Sequence, residues 1–169
     1  MAGQMNEQME KGKVEFDQTK LHMLMQEART NQNLLFGITG GAVAAAIGAV
    51  IWAVITAMTN FQIGWMAVGV GFLVGFAMRL CGKGIDMIFG IVGAILSLLG
   101  CLAGNLFAVC IVVSRHQSIP FPELLSGLNP EIIVKLITAT FSPIDLLFYG
   151  IAVYEGYKFS FQKLSKAAD

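Results

Sequence analysis

The sequence predicts an all-α membrane protein: a four-transmembrane-helix bundle with an N-terminal amphipathic helix and a short helical excursion before the last span. Three observations predict it. Charged residues are only 13% of the 169 and hydrophobic residues 56%, against roughly 25% charged in a soluble domain. No Asp, Glu, Lys or Arg lies between Arg29 and Arg79, or between Asp86 and Arg115. Glycines recur at helical spacing inside those charge-free stretches. Eleven basic and eleven acidic side chains cancel, which argues against nucleic-acid binding through bulk positive charge. The apolar content excludes a disordered chain.

Residues 1–33 form a cytoplasmic segment. Val14, Leu21, Leu24, Met25 and Ala28 share one face of a helix running to Arg29. Its flanking charges are mixed, which disfavours a polybasic lipid-binding patch. The first dozen residues are expected to lack structure. Their mixed charge does not fit a cleavable signal, so the first span inserts the chain.

The membrane domain is read as residues 34–161. A hydrocarbon core about 30 Å thick needs about 20 apolar residues as a helix. The first charge-free stretch is far longer, and the polar break at Thr59-Asn60-Phe61-Gln62 divides it into spans at 34–58 and 61–80. The third span is 87–113. The fourth, 142–161, carries Asp145 and Glu155 and reaches its length only if Lys158 snorkels to the interface. Before it, residues 118–141 form an excursion on the membrane or over the end of the bundle. Asn129 suits a helix N-cap, Pro130 the first helical position and Glu131 the first turn. Pro143 breaks the excursion from the last span. Residues 162–169 are a cytoplasmic tail.

Basic residues orient the chain. With both termini inside, nine of the eleven fall on the inner side, as the positive-inside rule requires. Phe61 and Trp65 then mark the outer interface, and Tyr154 and Tyr157 the inner one. Asp86 and Asp145 stand where acids favour the start of a helix.

Helices in lipid associate by close packing, which small residues permit. Gly37, Gly41, Ala45 and Gly48 line the first span; Gly71 and Gly75, with Gly64 and Gly69 nearby, line the second. Gly90, Gly93, Ser97, Gly100 and Gly104 alternate steps of three and four in the third. That spacing matches the seam of a left-handed helix pair, with a partner from the same chain or another copy. Two polar residues lie at membrane depth. Asn105 suits an amide bond across a helix interface. Glu155 lies roughly 20 Å into the last span at 1.5 Å per residue; it serves as a proton or cation site, or pairs with Lys158.

No catalytic motif occurs, and no cofactor or metal is expected. His22 and His116 fall on opposite sides of the membrane. Cys81, Cys101 and Cys110 have no pairing pattern and read as small buried residues. Leu128-Asn129-Pro130-Glu131, the run from Ser142 to Gly150 and Tyr154-Glu155-Gly156-Tyr157-Lys158 resemble small bacterial multipass membrane proteins of uncharacterised function. The resemblance covers residues 84–163; it implies a bacterial inner membrane and carries no activity. The expected function is non-enzymatic: self-association as a homo-oligomer, or scaffolding of a protein partner, in the lipid bilayer. The alternative is a small ion- or proton-coupled channel or transporter using Glu155.

Overall fold

A computed structural model describes residues 2–59 and 64–162; the side chains of residues 2–15, 17 and 140 also lie outside the description. Its elements are α1 (Ala2–Asn31), α2 (Leu34–Thr59), α3 (Trp65–Gly82), α4 (Met87–Gln117), α5 (Phe121–Ser126), α6 (Pro130–Thr140) and α7 (Pro143–Phe159), with no strand among the described residues. By length and composition α2, α3 and α4 can each cross a membrane. At 17 residues, α7 is shorter. The four form a helical bundle. In it α3 and α4 touch each other and both neighbours, while α2 and α7 occupy opposite corners.

The bundle is small inside and large outside. On α2 the buried residues are mostly glycine and alanine, from Gly37 to Ala57. Its branched side chains, among them Val43, Ile47, Val50 and Val54, are exposed. The same inversion holds on α4, where Gly90, Gly93, Gly100 and Gly104 are buried and Ile88, Ile91 and Ile95 face out. Apolar solvent around a helix removes the gain from burying large side chains, so backbone approach decides which face turns inward.

Helix ends follow local chemistry, and several differ from the expected limits. Helix α3 starts at Trp65 rather than 61; Asn60, Phe61 and Gln62 lie outside the described residues. It stops where Lys83 turns left-handed at φ 48°. Helix α4 runs four residues past 113, to Gln117, and ends at Ser118 with φ 54°. Arg115 is tolerated within it because its guanidinium donates to the Ala57 carbonyl at the end of α2, meeting a carbonyl that α2 leaves unpaired there. The excursion resolves into α5 and α6, both set against α4. The Asn129 side chain accepts from the Ile132 N–H at 2.8 Å and so caps α6. Ser142 and Asp145 form a capping box at the start of α7, and α6 and α7 meet at 107°.

Two expectations at the N-terminal side need correction. The first dozen residues are helical: α1 runs unbroken from Ala2, in a stretch without proline whose only glycines are Gly3 and Gly12. Asp86 occupies the N-cap of α4 but makes no capping bond. Its carboxylate accepts from the Gln32 side-chain amide and pairs with Arg29 at 3.4 Å. Beside it, the Asn33 N–H donates to the Gly82 carbonyl at 2.9 Å and the Ile85 N–H to Gln32 Oε1 at 3.2 Å. These bonds fasten the end of α1 to the α3–α4 turn. Among the described residues, the rest of α1 makes no extended packing with the bundle.

Candidate functional site: small-residue seams and a buried polar cluster

On α4 the small-residue stripe meets α7 first and then α2, with Val70 of α3 also 3.0 Å from a Cβ on Gly100. A Cβ on Gly93 would strike Ser160 Oγ and stand 2.5 Å from the Gly156 carbonyl. One on Gly90 would stand 2.8 Å from the Tyr157 ring. Gly156 and Tyr157 are on α7, and Ser160 is the residue that caps its end. Two turns on, a Cβ on Gly100 would meet Ala45 Cβ at 3.2 Å, and one on Gly104 would meet Ala49 Cα at 3.3 Å. Those neighbours are on α2. The expected seam of one helix pair is therefore shared. An α-helix drifts about 20° per heptad against a 3.5-residue stripe, so the stripe swings from one neighbour to the next.

A partner stripe runs along α7 to its C-cap residue. Ala152, Gly156 and Ser160 are spaced by four, and all three are buried. A Cβ on Gly71 of α3 would stand 2.7 Å from Ala152 Cα, and one on Gly75 would stand 2.9 Å from Phe159 Cβ. Ser97 and Ser160 each donate back to the carbonyl four residues earlier, Gly93 and Gly156, so neither hydroxyl seeks a partner across the seam. The stripe of α7 thus sits between α3 and α4, and backbone contact holds in place the helix with the most polar sequence of the four. The earlier glycines do the same for α2. Gly37 faces Phe89 of α4 and Gly82 of α3, Gly41 faces Met78 and Leu96, and Gly48 faces Val70.

Towards the α5–α6 end, polar groups from three helices meet. Asn105 on α4 is fully buried and interacts with the Tyr149 phenol of α7. The ring of Trp52 on α2 stands edge-on to Tyr149 at 6.4 Å. Thr56 is buried one turn beyond Trp52. Cys101, one turn before Asn105, directs its thiol at the Ala67 carbonyl at 3.8 Å. Asp145 is buried one turn before Tyr149. Trp52 Nε1 and Thr56 Oγ1 have no hydrogen-bond partner among the described residues. One signal was available in the sequence. Trp52 and Thr56, Cys101 and Asn105, and Asp145 and Tyr149 are each four apart, which places each pair on one helix face. The described residues contain no group of three or more His, Cys, Asp or Glu side chains able to hold a metal ion. Chemically the cluster can fix the rotation of three helices about one another.

Glu155 is not part of this cluster. It lies six residues beyond Tyr149, about 9 Å along the helix axis. Its expected ion pair with Lys158 is not among the salt bridges of the described residues. The Lys158 ammonium sits instead over the Tyr154 ring, 5.3 Å from its centroid. One Glu155 carboxylate oxygen is buried with no hydrogen-bond partner among the described residues. Of the aromatics read as interface markers, Trp65 and Tyr154 are exposed, while Tyr157 covers Gly90.

Comparison of the chain with protein families, with curated proteins and with solved structures finds no match in any of the three.

Proposed function

We propose that this is a four-span, multipass, non-enzymatic membrane protein of the bacterial inner membrane, with both termini on the inner side. Its bundle holds α1 there as a platform for another protein. One observation carries the reading. The small-residue seams are occupied within the chain, while α1, 30 residues long and so about 45 Å, is fastened, among the described residues, at its end. A second copy of the chain would have to use a face other than the α4 stripe. On α1 itself Phe16 and Met23 are exposed and seven residues apart, on one face of the helix.

A photoreactive amino acid at Phe16 or Met23, illuminated in native membranes, should give one discrete protein adduct. The same probe at the exposed Ile95 of α4 should give only lipid. An adduct of twice the chain mass would replace the scaffold by self-association, and no adduct at either α1 position would contradict both.

The buried oxygen of Glu155, which has no hydrogen-bond partner among the described residues, favours a second reading, a proton or cation site. On the scaffold reading, reconstituted vesicles carry no more flux than protein-free ones. Flux in the parent that Glu155→Gln abolishes would establish the second reading instead.

A further inference from the structure

Where the end of α1 is fastened, the chain forms an open concavity of about 320 Å³. Arg79 and Lys83 line one side of it, with Asn31, Gln162, Leu80 and Ile85. We infer that this pocket binds the phosphate of an anionic membrane lipid.

The walls are held by bonds that do not involve the two cations. Gln162 N–H donates to the Gly84 carbonyl at 2.8 Å, Asn33 N–H to Gly82, and Ile85 N–H to the Gln32 side chain. The concavity is thus built by three separate segments: the end of α1, the α3–α4 turn and the chain after α7. The nearby acid does not neutralise it, because Asp86 is already engaged by Gln32 and Arg29. Arg79 and Lys83 form no ion pair among the described residues, and no acid lines the pocket. Arg79 is half-buried and lines the concavity, and its planar guanidinium suits a phosphate's paired oxygens. Lys83 adds a second cation from the residue that ends α3. Amides from Asn31 and Gln162 supply further hydrogen-bonding groups for the hydroxyls of a headgroup.

The apolar side selects a lipid over a free anion. Leu80, one residue from Arg79, is 60% exposed on the face of α3 that also presents Phe72 and Phe76. A phosphate held by Arg79 and Lys83 therefore has an apolar track for its acyl chains beside it. Arg79 and Lys83 line one concavity between segments, the arrangement that binds acidic headgroups.

The test uses the purified full chain in mild detergent, with native mass spectrometry as the readout. Phosphatidylglycerol should be retained roughly tenfold or more over phosphatidylcholine of the same acyl chains, from two cations near the surface. Arg79→Gln with Lys83→Gln should bring that retention down to the phosphatidylcholine level. Lys135→Gln, on α6 at the other end, should leave it unchanged. If the double variant does not fold, Lys83→Gln alone should still lower retention several-fold. Equal retention of the two lipids, or full retention in a folded double variant, overturns the inference. Displacement of phosphatidylglycerol by equimolar inorganic phosphate would assign the pocket to free phosphate and overturn the lipid assignment.

Discussion

Gly93→Ile is expected to separate α7 from α4. The new side chain would enter a space where Ser160 and the Gly156 carbonyl already stand. A backbone carbonyl cannot rotate away as a side chain does, so the helices themselves must move. Overpacking a well-filled interior costs about 1–3 kcal/mol, occasionally more, and contact with backbone places this substitution at the upper end. Thermal unfolding in detergent should show a loss of that size. Gly69→Ile, at a glycine with no atom within 4 Å of its missing Cβ, should melt close to the parent. Equal melting of the two variants would reject the seam.

Trp52→Ala should be the other severe variant. The indole is 1% exposed and lies against Gly104 of α4 and Tyr149 of α7. It therefore bridges opposite corners of the bundle. Emptying such a site costs about 3–5 kcal/mol. Trp52→Phe keeps an aromatic ring and removes an N–H that has no hydrogen-bond partner among the described residues, so its loss should stay below about 1.5 kcal/mol. A Phe variant as unstable as the Ala variant would mean that the indole N–H makes a bond essential to the bundle. The same melts in detergent separate the two outcomes.

The apolar helices were legible because charge is excluded from hydrocarbon, and that exclusion is written residue by residue. The α4 stripe was legible because glycine spacing marks a face. Which helix that face meets was not, since spacing carries no information about neighbours. Gly93 and Gly104 belong to one stripe in sequence and touch different helices in the fold. Asp145, Glu155 and Lys158 interrupt the apolar pattern of α7 and mask the stripe of Ala152, Gly156 and the capping Ser160. In the polar cluster, Trp52, Thr56 and Tyr149 were unremarkable singly. Only the packing of α2, α4 and α7 makes them neighbours of Asn105. The Asp86 contacts escaped notice for a related reason. A side chain at an N-cap can bond its own helix or a neighbour, and that choice depends on where Gln32 and Arg29 lie.

The scaffold reading depends on α1 and the C-terminal tail lying on one side of the membrane, with α5 and α6 on the other. Single cysteines in a chain lacking Cys81, Cys101 and Cys110 test this directly, using a thiol reagent that cannot cross the membrane of intact cells. Asn60→Cys and Ser126→Cys should react from outside, while Gln26→Cys and Ser165→Cys should react only after lysis. Reaction of Ser165→Cys from outside would put α7 across no membrane at all and contradict the four-span bundle.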